Sequence, residues 1–325
     1  MSAIKIFTVD IVTLCMNPAL DITTSTDVVR PTDKLRCAAA RYDPGGGGIN
    51  VAHVAEVLGI RSTAVFPAGG PAGELVHNLL VAEGLAIQRI RIGGSTRESF
   101  TVNELTSQRQ YRFVLPGPQL TIAEQTDCLL HLRHAAANAR IVVASGSLPP
   151  GVPQDFYQQV AQVCAELGTT FLLDSSGGGL THVKSGVFLV KPSIRELRED
   201  VGAELATEAE QVAAARGLVS RGVARNVLVS LGSQGALLVG TDGAWRFAAV
   251  DVPPGSGVGA GDAMLAGVAV GIARDWPLTE AVRLGIAAGA AMLLTPGTAP
   301  CTREDTERLL RQTEKPVPVP EGRRD

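Results

Sequence analysis

The chain has 325 residues, 45% hydrophobic but only 4% aromatic, with 29 Lys and Arg against 32 Asp and Glu for a net charge of −3. That length can bury a sizeable core, and the apolar fraction excludes a disordered chain. The slightly acidic balance, with no basic run, argues against nucleic acid as a partner, so an anion site must be built locally from a few basic side chains and backbone amides.

In chain order, Ile11–Cys15 reads as a buried strand, Ile49–Leu58 as a helix and Ser62–Phe66 as a strand. Helix Leu75–Glu83 and strand Ala86–Ile92 follow. Later pairs are cleaner: helix Thr121–Ala137 with strand Ile141–Ala144, then helix Pro153–Leu167 with strand Thr170–Asp174. Strand Val187–Val190 precedes helix Glu208–Arg221 and strand Asn226–Leu231. Helices Asp262–Arg274 and Glu280–Leu294 close the pattern. Short apolar strands alternating with helices predict an α/β fold, a mainly parallel sheet with helices on both faces. Abundant small residues and scarce aromatics suit close helix-on-sheet packing.

Two stretches break the rhythm. Lys34–Asp43 and Ser99–Leu115 read as extended, with Phe100–Glu104 and Gln110–Val114 forming a hairpin. These are expected to build a small β-lid, drawn from about residues 22–43 and 95–116, on a single domain spanning 1–325. An exposed flat sheet invites association, so a homodimer paired through the lid is expected. No internal repeat is present. The segment Met1–Ile6 lacks the apolar run of a signal peptide, and the apolar stretches around Ala263–Ile272 and Ile286–Leu294 are too short to span a bilayer. The five cysteines are scattered without a CxxC pair, so reduced thiols in the cytoplasm, no zinc and no membrane are expected.

Three motifs carry chemistry. Gly255-Ser256-Gly257-Val258-Gly259-Ala260-Gly261-Asp262 follows an extended segment and opens a small-residue helix. Glycines turn amides inward and the helix N-terminus adds partial positive charge, which together suit a transferring phosphoryl group. Asp262 is placed to take a proton from an attacking hydroxyl. Asp262 also reads as a plain N-cap, and Gly255-x-Gly257-x-x-Ala260 formally fits a dinucleotide fingerprint, although that motif normally opens a domain rather than closing one. The second motif, Gly45-Gly46-Gly47-Gly48-Ile49-Asn50, allows close approach of a ligand to backbone, or is a flexible loop before a helix. The third is Asp21, a carboxylate just past a strand, where α/β sheets bind ligands, or else a turn residue. There is no GxxxxGK[ST], which excludes a P-loop kinase.

These motifs, in this order from about Val12 to Glu307, resemble the ribokinase-like (PfkB) family of carbohydrate kinases. The segments Lys34-Leu35-Arg36-Cys37, Phe66-Pro67-Ala68-Gly69-Gly70, Gln110–Val114, Ser145–Gly151 and Ser230–Leu237 resemble its minor 6-phosphofructokinase branch. The resemblance implies a ribokinase-like fold and transfer from ATP with Mg²⁺ to fructose 6-phosphate. Siblings acting on tagatose 6-phosphate or fructose 1-phosphate, or a catalytically impaired nucleotide-binding regulator, are the alternatives. Fructose-1-phosphate kinases typically carry Lys where this chain has Gly47.

By resemblance, Asp262 is the base, with Gly259, Ala260 and Gly261 forming the anion hole. Asp21, Gly45, Gly46, Gly47, Gly48 and Asn50 would hold the sugar hydroxyls. Arg97 and Ser145, with Lys34 and Arg36 of a neighbouring subunit, would meet the substrate phosphate. Lys191, Ser193, Ser230, Gly232, Gly235 and Ser256 fall to the nucleotide, Glu196 to Mg²⁺, and Val258, Thr295, Gly297 and Ala299 to a monovalent cation such as K⁺. Two positions depart from the family pattern, Ser193 in place of Asn and Gly257 in place of Thr or Ser, and imply a slower enzyme.

Overall fold

The described residues of the computed structural model are 9–175, 182–253, 255, 257–295 and 299–320. In chain order they form β1 (Val9–Leu14), β2 (Ala19–Thr26), β3 (Arg41–Gly45), α1 (Gly47–Val57), β4 (Ser62–Ala68), α2 (Gly70–Ala82), β5 (Ala86–Arg91), β6 (Arg97–Glu104) and β7 (Gln110–Val114). Next come α3 (Ile122–Ala136), β8 (Ala139–Ser145), α4 (Phe156–Leu167), β9 (Thr170–Asp174), β10 (Val187–Val190), α5 (Ile194–Val201), α6 (Glu208–Ser220) and β11 (Ala224–Ser230). The chain continues through β12 (Ala236–Gly240), β13 (Gly243–Phe247), α7 (Ala260–Ala273), α8 (Leu278–Met292), α9 (Arg303–Gln312) and β14 (Val317–Pro318).

The large sheet has the order β14-β13-β12-β11-β10-β9-β8-β1-β4-β5. It is parallel from β5 to β11 and antiparallel from β11 to β14. Its central strands are apolar on both sides because both faces are covered. Alternate residues divide accordingly. Val12, Val142 and Leu173 face a layer with α3, α4 and α6, while Ile11, Val143 and Leu172 face a layer with α1, α7, α8 and α9. A small second sheet, β3-β2-β6-β7, stands apart. Its long parallel pairing, β2 on β6, runs from Ala19↔Arg97 to Thr26↔Glu104.

The parallel α/β reading is the observed fold, with some boundaries corrected. Strand β2, which centres the small sheet, reads poorly in sequence because its Thr-rich polar run is half-buried on both sides. Of the stretch Lys34–Asp43, only Arg41 onward is strand. The hairpin β12–β13 and helices α5 and α9 were not anticipated. Helix α2 begins at Gly70 rather than Leu75, with Pro71 pre-set for its first turn. Helix α4 begins at Phe156, three residues after the expected Pro153. Helix α3 fits its expected limits because Thr121 and Glu124 form a capping box.

Helices α7 and α8 cross at backbone contact. A Cβ on Gly267 would lie 2.7 Å from Gly285 Cα, and one on Gly271 would lie 2.6 Å from Ala281 Cα. Gly267→Ala is therefore expected to cost about 1–3 kcal/mol of stability through overpacking. Gly217→Ala, in α6 with only the flexible Arg221 nearby, should instead gain up to about 1 kcal/mol from helix propensity. Denaturant midpoints of the two variants moving in the same direction would contradict this packing account.

Candidate active site

The parallel strands β1, β8, β9, β10 and β11 end on one side of the sheet, and the site is built at those ends. Helix α7 enters it behind Gly259, whose φ of 75° lets the chain turn into the helix. The helix starts at Ala260, two residues before the sequence reading placed it. Asp262 is therefore in the first turn and makes no capping bond. Its carboxylate is free to face across the site, near the positive end of the helix.

Each Asp262 oxygen accepts one hydrogen bond. Ser145 Oγ, at the end of β8, donates to Oδ1 at 2.8 Å, and Asn50 Nδ2, in the first turn of α1, donates to Oδ2 at 2.8 Å. A Cβ on Gly47 would collide with Ser145 Oγ and lie 2.9 Å from Asp262 Oδ1, so only glycine lets α1 start there. The neighbouring glycines admit other parts of the chain. Gly45 makes room for the Asp21 carboxylate, a Cβ on Gly46 would lie 2.5 Å from Cys15 Sγ, and one on Gly48 would lie 2.5 Å from the Leu14 carbonyl oxygen. The Cys15 thiol lies fully buried beneath the loop. Burial pushes it up to about 11 despite the backbone N–H groups of Gly48 and Ile49, so it stays neutral.

A second polar group lies on the other side of Asp262. Lys191 Nζ, just past β10, pairs with Asp174 Oδ2 at 2.8 Å, and both side chains are largely buried. A Cβ on Gly261 would lie 3.3 Å from Lys191 Nζ, so the glycine lets the cation approach the start of α7. Burial raises Asp174 to about 6; Lys191 opposes the rise, and Asp262 and Glu196 add to it. For Lys191, burial works against the charge, but Asp174, Asp262 and Glu196 together leave it raised. Asp174 escaped the sequence reading, although the argument that singled out Asp21 applies to any carboxylate at the carboxyl end of a parallel strand.

Asp21 lies within β2 rather than in a turn. Burial raises it to about 6, against the charges of Arg97 and Arg112 and with those of Asp43 and Asp262. Arg112, on β7 opposite Thr101, was also missed. Its alternation within Gln110–Val114 was the available signal. The Arg97 guanidinium is fixed by Asn17 and Leu115 carbonyls and by Ser99 Oγ.

Ser193 and Glu196 form the capping box of α5, with Ser193 N–H and Oγ both on Glu196 Oε2 at 2.8 Å. Ser193 bridges to Ser230, beside the turn carrying Gly232 and Gly235. A Cβ on Gly235 would collide with the Phe247 carbonyl. Thr295 Oγ lies 2.9 Å from the carbonyls of both Met292 and Ala299 and can donate its one proton to either, and Val258 stands just before α7. Ser256 and Gly297 lie outside the described residues. Lys34 and Arg36 are not brought to Asp262: they line an exposed groove with Asp27, Arg30 and Asp33.

A model of the pfkB family of carbohydrate kinases matches residues 14–305. The ATP-dependent 6-phosphofructokinase isozyme 2 of Mycobacterium tuberculosis is 62% identical, over 95% of this chain and 91% of that protein. The 1-phosphofructokinase of Xanthomonas campestris is 33% identical over 85% and 88%. The crystal structure of phosphofructokinase-2 from Escherichia coli in complex with fructose-6-phosphate superposes with a TM-score of 0.88 at 37% identity, covering 94% of this chain and 99% of that one.

The position of Asp21 gives a pH signature. Its folded value of about 6 lies above the ordinary 3.8, so the folded chain holds this proton more tightly. Its contribution to stability is complete below the unfolded value and is lost as pH rises through the folded one. Asp21→Asn should flatten the loss of stability between about pH 4 and 6 and make the protein more stable at pH 7.5 by up to about 3 kcal/mol. Urea titrations at several pH values test this, and a variant with the wild-type slope would refute it.

Proposed function

Since this chain belongs to the pfkB family of carbohydrate kinases, we propose that it is an ATP-dependent 6-phosphofructokinase, transferring the γ-phosphoryl of ATP to the 1-hydroxyl of fructose 6-phosphate. The observation that carries the reading is the Asp262 carboxylate in the first turn of α7, held open by Ser145 and Asn50 between two glycine-rich turns.

Asp262 takes the proton of the 1-hydroxyl as its oxygen bonds to the γ-phosphorus. The bond from that phosphorus to the β–γ bridging oxygen breaks, and ADP leaves. Amides of Gly259 and Gly261 at the helix start stabilise charge on the phosphoryl oxygens in flight, joined by that of Ala260 once it leaves the Gly257 carbonyl it meets at 3.3 Å. Asp21 and the Gly45–Gly48 loop with Asn50 orient the sugar. Arg97, with Lys34 and Arg36 reaching in from a neighbouring subunit, grips the 6-phosphate, Arg being suited to bidentate phosphate contact. Gly47 stands where fructose-1-phosphate kinases typically carry Lys, which favours the 6-phosphate over the 1-phosphate sugar. Nucleotide falls to Lys191, Ser193, Ser230 and the Gly232–Gly235 turn.

Mg²⁺ fits as an ion carried largely by the nucleotide phosphates and water. No cluster of three acidic, His or Cys side chains is present among the described residues, and Mg²⁺ typically needs only one or two carboxylates, here Glu196 and Asp174. It would neutralise phosphate charge. Thr295, Ala299 and Val258 supply carbonyl oxygens suited to K⁺. The small sheet, with Phe113, Val114 and Tyr42 exposed, serves as lid and dimer interface of a cytoplasmic enzyme.

A coupled ADP-release assay over fructose 6-phosphate, tagatose 6-phosphate and fructose 1-phosphate should give the highest kcat/KM for the first. Asp262→Asn should lower kcat by about 10²–10⁴-fold. A preference for fructose 1-phosphate, or full turnover by Asp262→Asn, would overturn the proposal.

A further inference from the structure

Asn17 lies between the two halves of the site and belongs to neither in the assignments above. It is 9% exposed, and most of its polar groups are committed. Its backbone N–H points at the buried Cys15 thiol. Its carbonyl accepts from Arg97 twice, from Nε at 3.3 Å and Nη2 at 3.1 Å. Its side-chain Nδ2 donates to Ser147 Oγ at 3.1 Å, across 130 residues of chain. Ser147 follows Ser145 by two positions, in a turn fixed from behind: Tyr157 OH donates to the Gly146 carbonyl at 2.8 Å, and Gly146 N–H donates to that of Asp174 at 3.0 Å.

A third segment meets it here. The chain returning from β7 to α3 passes Asn17 at Gly117, where any Cβ would collide with Asn17 Oδ1 and lie 3.3 Å from Pro149 Cβ. That Oδ1 is buried without a hydrogen-bond partner, a cost accepted to seat the segment. The same segment supplies the Leu115 carbonyl to Arg97 Nη1 at 3.5 Å.

We propose that Asn17 is a positioning residue that sets the aim of Arg97 against the Ser145–Ser147 turn, so that the guanidinium is pre-oriented to bind the phosphate of the sugar. The inference rests on the reading of Arg97 as the ligand of a sugar phosphate. Its logic is electrostatic as well as geometric. Arg97 donates its hydrogen bonds to neutral oxygens, and the Asp21 carboxyl acts on it only through space, so the guanidinium is oriented without a direct carboxylate partner in these bonds. The Asn17 amide anchors the backbone that supplies two of these bonds. Without that anchor, Arg97 loses aim while Asp262 keeps both of its own partners.

The test compares wild type with Asn17→Ala, Ser147→Ala and the double variant. Each is assayed with saturating ATP on whichever phosphosugar the wild type uses best, so the outcome does not depend on which sugar that is. Ser147→Ala removes the same bond while leaving the buried Asn17 in place, which guards against a folding defect in Asn17→Ala. Either single variant should raise KM for the phosphosugar about five- to tenfold, the size expected for one lost buried hydrogen bond. The KM for ATP and kcat should stay within about twofold, and the double variant should be no worse than the poorer single, because both remove one bond. A fall in kcat at unchanged phosphosugar KM, or effects of the two substitutions that multiply, would overturn the proposal. A wild type that uses another phosphosugar better than fructose 6-phosphate would count against the function proposed above and leave this comparison intact.

Discussion

The two hydrogen bonds on the Asp262 carboxylate connect parts of the chain that are 117 and 212 residues apart. One partner ends a central strand and the other opens the first helix, while Asp262 itself opens the seventh. Both bonds need the three backbones to arrive within a few ångströms of one another. That requirement accounts for the local sequence: glycine at 47 so that α1 can start against Ser145, glycine at 259 for the turn into α7, and glycine at 261 so that Lys191 can stand beside the helix start. A carboxylate satisfied on both oxygens is also held in one rotamer, and a base must be held so if it is to meet a hydroxyl rather than bulk water.

The packing behind α7 serves the same end. A catalytic side chain is placed only as accurately as the helix that carries it. Helix α7 is buried along most of its length against the sheet and against α8, with glycines meeting backbone at the crossing. Sliding or rotation of α7 would therefore have to displace α8 as well. The buried carboxyls around the site act in the opposite sense. Asp21 and Asp174 are both raised by burial, so the fold holds charge-bearing groups in an environment that resists their ionisation.

Much of this was legible in the sequence. The central strands could be read because burial on both faces leaves short apolar runs, and strands β9 and β10 fall at the expected residues. Helices α3 and α6 could be placed from their capping boxes, whereas α5, which also has one, is only eight residues long and was missed. The glycine loops and Asp262 stood out because glycine runs are rare and costly unless backbone must come close. What stayed hidden was non-local. Strand β2 is half-buried and Thr-rich, so it carries neither a clean alternation nor an apolar run, and Asp21 consequently read equally as a ligand-binding carboxylate just past β1 or as a turn residue, not as part of a strand. Asp174 looked like the end of an ordinary strand until Lys191 was seen beside it. Arg112 had only the alternation of Gln110–Val114 to mark it, and Asn17 has no local signature: each matters for what the folded chain brings next to it.

The four successive glycines of residues 45–48 bear on how such a chain can change over evolutionary time. Each is sealed by a different neighbour: the Asp21 carboxylate, the Cys15 sulfur, the Ser145 hydroxyl and the Leu14 carbonyl. A single substitution anywhere in the loop must displace one of three separate segments, the end of β1, β2 or the end of β8, so almost no neutral path leads through it. The small sheet, by contrast, is at least partly exposed over most of its length and tolerates exchange of side chains. A new side chain is therefore sterically cheaper in the small sheet than in the loop, where it must move Asp21, Cys15, Ser145 or Leu14.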